Sequence, residues 1–188
     1  VVSQIDEYVQ KATPITKQMI YFSETFRSGI EFGATYVLFN DLKTALQKNK
    51  KKDIEKAISS LKEAYADVHN KDYDHEVDRK VAKVLIPLYA KSVPADALPA
   101  FYQTIQTKYK GNYDAYIDAL YDNSIFSNDK NFNAFISNPT VKAIENDLAV
   151  QYSSSKNELS KKLNEKYDAV SGNIDLLHKI YVRGLCEM

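Results

Sequence analysis

Apolar residues recur every three or four positions along most of this chain, a spacing that fits helices and argues against strands. Ile15, Met19, Phe22, Phe26, Ile30, Ala34, Val37, Leu38 and Leu42 trace one continuous stripe. Pro14 suits the first turn of such a helix, because its missing N–H would be unpaired there. The stripe predicts one helix from about 14 to 48, roughly 50 Å long at 1.5 Å per residue. Gly29 and Gly33, four apart within it, predict close approach by a neighbouring helix. A second seam of Leu159, Leu163, Tyr167, Val170, Ile174, Leu177 and Tyr181 predicts a helix from about 141 to 187. Gly172 weakens that run by roughly 1 kcal/mol relative to alanine.

Between these two lie shorter patterns. Ile54, Ala57, Ile58, Leu61 and Tyr65 share a face of a helix starting near Asp53. Asp74 reads as an N-cap with Glu76 in the first turn behind it. The expected apolar face of that helix is Val77, Val81, Val84, Leu85 and Leu88, and Pro87 is expected to kink or shorten it. A turn at Ser92–Asp96 leads to a helix from about 99 to 109, closed before Gly111. Two short helices follow, from about 112 to 122 and 129 to 136, and Asn138-Pro139 interrupts the chain again. Only five glycines and five prolines punctuate the sequence, too few for a β sandwich. The fold class is all-α. The expected form is an elongated bundle of two long antiparallel helices, about 14–48 and 141–187, with short helices between them. Residues 1–188 form a single helical domain on this pattern. Antiparallel packing brings Val1 and Met188 to one end, as a domain inserted in a larger protein requires.

Twenty-five basic residues balance twenty-five acidic ones, so no whole-molecule field draws the chain to nucleic acid. The run Lys48, Lys50, Lys51, Lys52 fits a helix C-terminus, where lysines complement the dipole. No apolar stretch approaches the ~20 residues that span a bilayer. Cys186 is the only cysteine, which excludes an intramolecular disulfide. The N-terminus has no signal-peptide pattern and no initiator methionine, as expected of a mature product or an excised piece.

The search for chemistry assigns no catalytic residue, no metal ligand, no cofactor and no identifiable substrate-binding residue. His69 and His75 stand among Asp67, Asp72, Asp74 and Asp78, but six apart, whereas a helical zinc pair needs i, i+4; they are expected in a surface loop. The aspartates lack the central Gly and terminal Glu of a calcium loop. His178 falls near the core stripe of the last helix. S-x-x-K occurs at Ser59–Lys62 and Ser153–Lys156 without the motifs that accompany it in serine enzymes. Glu24, Arg27 and Glu31 are expected to form an exposed ion-pair ladder. Fourteen tyrosines and no tryptophan suit the core edge of a bundle, where the ring is buried and the hydroxyl finds a carbonyl or water.

Several segments, in order, carry a resemblance. They are Tyr21-Phe22-Ser23-Glu24 with Gly29-Ile30-Glu31, Asp72-Tyr73-Asp74 with Asp78, Leu88-Tyr89, and Leu98-Pro99. They continue with Lys110-Gly111-Asn112-Tyr113 into Tyr116-Ile117-Asp118, Ser124-Ile125-Phe126, Phe135-Ile136-Ser137-Asn138-Pro139, and Tyr181–Met188. The succession resembles the helical domain of the bacterial dipeptidyl peptidase 7 and 11 family and covers nearly the whole chain. Cys186 departs from the apolar residue expected there. The resemblance implies serine exopeptidases with a chymotrypsin-like double β-barrel, into which a helical domain is inserted as a cap over the active-site cleft. It implies release of dipeptides from peptide N-termini and a periplasmic or cell-surface location in bacteria such as the Bacteroidetes. The catalytic Ser, His and Asp, and the residues holding the substrate's amino terminus, are implied to lie outside this segment. The expected partner is peptide substrate, through the parent's catalytic domain, and a homodimer of the parent is compatible. The competing reading is a stand-alone helical module binding peptide or glycan through its tyrosines.

Overall fold

A computed structural model describes residues 2–70 and 73–171, with 179, 182 and 183; the side chains of residues 2, 4, 5, 34, 35 and 68–70 are excepted. The described chain is helical, with no strand among the described residues. α1 (Val2–Ser23) leads into a π-helical turn, Glu24–Gly29, and a 3-10 turn, Ala34–Leu38. α2 (Phe39–Gln47), α3 (Lys51–Asn70) and α4 (His75–Ser92) follow. A 3-10 turn, Ala95–Ala97, precedes α5 (Phe101–Lys108), α6 (Tyr113–Asn123), α7 (Asp129–Ser137), α8 (Val141–Asn146) and α9 (Leu148–Ser171).

The first and last long helices pack side by side and antiparallel. Tyr8 pairs with Tyr167, Arg27 donates to Ser160, and Gly33 meets Tyr152. Position therefore rises in the first partner as it falls in the second. Neither helix is the unbroken rod that the stripe predicts. α1 begins at Val2, so Pro14 sits inside it rather than in its first turn. Packing on α9 compensates for the one lost i→i−4 bond. The predicted 14–48 helix breaks between Glu24 and Leu38, because Gly29 and Gly33 are weak helix formers and another acceptor takes the N–H groups there. The predicted 141–187 helix breaks at Asp147, whose carboxylate accepts the N–H groups of Ala149 and Val150 and so caps α9, and also that of Ile125. Val1, Met188, Gly172, Ile174, Leu177, His178, Tyr181 and Cys186 lie outside the described residues, as do Lys71 and Asp72.

The middle helices start and stop where their capping residues say. Asp74 accepts from the N–H groups of Glu76 and Val77 to cap α4. Asn112, Asn128 and Thr140 cap α6, α7 and α8 in the same way. The lysine run is a helix junction: Asn49 at φ +49° ends α2, and the N–H of Lys50 returns to the carbonyl of Ala45. The face of α4 is a correction. It buries Asp78, Ala82, Ile86 and Tyr89; of the predicted face Val81 and Leu85 do pack against the core, while Val77, Val84 and Leu88 are each more than half exposed. The buried set follows the i, i+4, i+8, i+11 seam next to the predicted one, and a polar residue at its head hides it from a hydrophobic count. Pro87 does not end the helix, which runs on to Ser92.

The core joins Phe39, Leu42, Leu61, Ile86, Ile105, Ile117 and Ile144, all without measurable or nearly without exposure. Each contributes about 1.5–3 kcal/mol of transfer free energy. Tyrosines fill the rest, and several hydroxyls find the partners expected of them, while that of Tyr152 is buried without one among the described residues. Tyr89 donates to Ala97 O, Tyr102 to Ile86 O and Tyr65 to Asp129, while Tyr36 accepts from the N–H of Phe126.

Candidate functional site

The break in the first helix opens a cleft of about 580 Å³ beside α9, within the ~300–1,000 Å³ typical of ligand pockets. Five parts of the chain build it: the end of α1, the irregular segment 24–38, the start of α4 with Tyr73 before it, Phe126 between α6 and α7, and the buried face of α9. Phe22, Phe26, Phe32 and Phe126 supply apolar wall; Arg27, Glu31, His75, Ser153, Lys156, Asn157 and Ser160 supply polar groups.

Asp78 holds this irregular backbone in place. One carboxylate oxygen accepts the N–H of Glu31 at 3.0 Å. The other accepts the N–H of Phe32 at 2.9 Å, the Tyr73 hydroxyl at 3.0 Å and the Tyr121 hydroxyl at 2.7 Å. The carboxylate thus replaces two carbonyls that a continuous helix would have offered. It also pushes the Tyr121 and Tyr73 hydroxyls up, after burial, since each would have to ionise beside it. Phe32 stacks on Tyr121 with ring centroids 4.4 Å apart. Next, Gly33 turns at φ +87°, a left-handed conformation that an L side chain rarely adopts. A Cβ there would stand 3.1 Å from the Tyr152 ring, and one on Gly29 would stand 2.4 Å from Leu85. Both glycines serve the close approaches that their spacing predicts, Gly29 to α4 and Gly33 to α9.

Lys156 is the second unusual group. Its side chain is 7% exposed, on the buried face of α9. Its ammonium lies 4.4 Å from the Tyr152 ring centroid and 6.0 Å from that of Phe26. Among the described residues no carboxylate or hydrogen-bond acceptor pairs with it. Burial lowers its pKa to about 8, against the pull of the Asp78 charge.

The structure places the sequence candidates differently from expectation. His75 is not in a loop. It is the first residue of α4, its ring packs at 5.0 Å from Tyr121 and 6.1 Å from Phe32, and its Nε2 is buried without a partner among the described residues. The side chain of His69 lies outside the described residues. No three His, Cys, Asp or Glu side chains among the described residues gather as metal ligands would. The Glu24–Arg27–Glu31 ladder does not form, because the π-turn changes the spacing. Arg27 instead donates to Ser160 at 2.8 Å and lies over the Phe22 ring. Ser153 and Lys156 both line the cleft, yet no hydrogen bond joins them, as nucleophile and base would require. Reasoning from sequence named Asp78 and Lys156 only in motifs that it set aside, and gave neither a buried place at the cleft. The available signal was their register: each falls on a seam of buried residues, Asp78 with Ala82 and Ile86, Lys156 with Tyr152, Leu159 and Leu163. The arrangement suits binding. It brings together an apolar wall, one buried cation and several neutral donors, without an activated nucleophile.

The model of the family Peptidase S46 matches residues 1–188. Dipeptidyl-peptidase 7 of Phocaeicola vulgatus is 59% identical over 189 aligned residues, covering 100% of this chain and 26% of that protein. The Asp/Glu-specific dipeptidyl-peptidase of Porphyromonas gingivalis is 30% identical over 187 residues, with the same coverage of 100% and 26%. The crystal structure of DPP11 from Porphyromonas endodontalis superposes with a TM-score of 0.81 at 22% identity, over 100% of this chain and 27% of that one. At that identity the likeness speaks for the fold. The chain spans 26% of the length of each of these two curated relatives. Among the described residues no helix is long and apolar enough to cross a membrane.

Proposed function

The chain belongs to the peptidase S46 family, and from that premise we propose that it is the helical cap of a serine-type dipeptidyl peptidase, lying over the active-site cleft of a larger protein. The observation that carries this reading is the match of the whole chain to 26% of each relative. On this reading residues 1–188 are one helical domain inserted in a catalytic β-barrel, which supplies the Ser, His and Asp. The exposed stripe of Val77, Val84 and Leu88 on α4 supports it, because a face of that kind is normally covered by another body. A cap contributes by excluding water and by closing the far end of the cleft, so that a chain terminus is positioned and internal bonds are not. The substrate is peptide with a free amino terminus, and the location is periplasmic or cell-surface. A homodimer of the parent is part of the same proposal.

The test compares the complete parent enzyme with a form in which the segment is replaced by a short linker. Labelling by diisopropyl fluorophosphate reports whether the shortened catalytic centre has folded. The cap reading expects the parent to prefer dipeptidyl-naphthylamides with a free N-terminus, and the labelled, shortened form to accept N-acetylated peptides comparably. It also expects no turnover by the 188-residue chain alone. A labelled, shortened enzyme with an unchanged preference for free N-termini rejects the cap role.

A further inference from the structure

We propose that the cleft between α1 and α9 is a binding site for a carboxylate carried on an apolar group, with Lys156 as the charge partner. A lysine more than nine-tenths buried normally has a carboxylate or several acceptors around it. Lys156 has aromatic faces on the protein side and open cleft on the other. An anion entering the cleft would supply the missing partner. Arg27, held by Ser160, borders the same space, and Asn157 adds an amide donor. His75, whose buried Nε2 has no partner among the described residues, also lines the cleft. Phe22, Phe26 and Phe126 give the ligand's body an apolar bed.

The charge count favours a monoanion. Glu31 lines the cleft, and the Asp78 charge acts on Lys156. A phosphate dianion would face both with one ammonium and one guanidinium. A carboxylate is matched by Lys156 alone, and burial makes that pairing stronger than it would be in water. The carboxylate has two natural sources, the C-terminus of a peptide and an acidic side chain. The proposal draws on the peptidase reading only for its choice of probes. Binding by the chain needs no catalytic domain, so its failure leaves the cap reading standing.

Calorimetric titration of the 188-residue chain tests the site with three probes. They are acetyl-Ala-Phe with a free C-terminus, its C-terminal amide, and acetyl-Glu-Phe-amide, whose only charge is on the side chain. The expected result is that at least one acid binds about tenfold or more tightly than the neutral amide. Which acid binds identifies the source of the carboxylate. Lys156→Met should abolish that difference while keeping the folded circular-dichroism spectrum, and Lys156→Arg should retain part of it. Because burial brings Lys156 to about 8, the preference for the acid should fade as pH rises from 7 to 9.5. Equal affinity for acid and amide overturns the proposal, as does an acid preference that survives Lys156→Met, or no binding by either acid.

Discussion

The carboxylate of Asp78 accepts the backbone N–H of Phe32 at 2.9 Å across a sequence separation of 46 residues. That bond lies at the point where the first amphipathic stripe stops being a helix. A long stripe specifies which residues are buried, but it does not require every residue along it to keep an i→i−4 bond. Where a buried acceptor from another helix is within reach, the chain can leave the helix without leaving N–H groups unpaired. The irregular segment, the left-handed Gly33 and the cleft are consequences of that exchange.

Removing the acceptor should be costly. Asp78→Ala leaves four donors at a buried site: the N–H groups of Glu31 and Phe32 and the hydroxyls of Tyr73 and Tyr121. The expected loss is about 3–5 kcal/mol, since each stranded buried group costs ~1–3 kcal/mol and water recovers some of it. Tyr121→Phe removes one donor, keeps the stack on Phe32, and should cost only about 1 kcal/mol. Urea denaturation followed by circular dichroism measures both. A loss below about 1 kcal/mol for Asp78→Ala would show that the carboxylate does not hold the break.

Glycine replacements probe the same segment through sterics. At Gly29 an added methyl group meets Leu85 and, at 2.5 Å, the carbonyl oxygen of Glu24, which is backbone and cannot swing aside. At Gly33 it meets the Tyr152 ring at 3.1 Å with φ at +87°. Gly29→Ala and Gly33→Ala should each destabilise by about 1–3 kcal/mol. Helix propensity alone predicts the opposite sign, a gain of about 1 kcal/mol per replacement. Thermal melts therefore discriminate between a broken and a continuous helix in solution by sign.

Asp147 plays a similar part in the last helix. Its carboxylate accepts three backbone N–H groups: Ala149 and Val150 at the start of α9, and Ile125 at 2.7 Å. Burial raises its pKa even so. Asp147→Ala removes a cap and strands a buried amide in the loop that Tyr36 also holds through Phe126. The expected cost is about 2–3 kcal/mol, the sum of a cap and one unsatisfied group. Hydrogen exchange should accelerate at both Ile125 and Val150. Acceleration confined to α9 would show that the Asp147–Ile125 link is not formed.

The helices, their capped starts and the burial of the tyrosines were legible because they depend on local sequence. Asp74 announces its helix start by itself, and the starts near 112, 129 and 141 follow from spacing, with Asn112, Asn128 and Thr140 found capping them. The breaks at 24–38 and at Asp147 were not legible, because the groups that satisfy them come from elsewhere: Asp78 lies 46 residues from Phe32, and Ile125 lies 22 from Asp147. The face of α4 was misassigned for a related reason. A buried aspartate counts as polar in a hydrophobic pattern, so the seam headed by Asp78 lost to the one headed by Val77. The cleft was invisible for the same cause, since it exists only where the stripe is interrupted. Lys156 stood out only as the lysine of an S-x-x-K pair without companion motifs, and its burial against the rings of Tyr152 and Phe26 depends on packing between distant segments.

Lys156 also gives the fold a distinctive pH dependence. Burial brings its pKa to about 8 in the folded chain, against an ordinary value of 10.5 when exposed. Below pH 8 the ammonium is charged in both states, and folding bears the full cost of burying it. Above 10.5 the amine is neutral in both, and that cost is absent. Stability from this group is therefore gained as pH rises between about 8 and 10.5, and lost as pH falls back through 8. The full shift sets an upper bound near 3 kcal/mol, at 1.36 kcal/mol per unit. Lys156→Met keeps the stem's length and packing without the charge. The variant should be more stable than the wild type by about 1–3 kcal/mol at pH 7, with the gap closing towards pH 10.5. The buried tyrosines, whose hydroxyls burial pushes up, lower stability at the alkaline end in both proteins, so the difference isolates Lys156. Urea denaturation at pH 7, 8, 9 and 10 measures it. A gap that stays constant with pH, or a variant less stable at pH 7, would mean that the ammonium is better solvated than its surroundings indicate. A gap of the expected size and slope means that the chain carries a charge its own fold does not stabilise, as a site built for an incoming anion would.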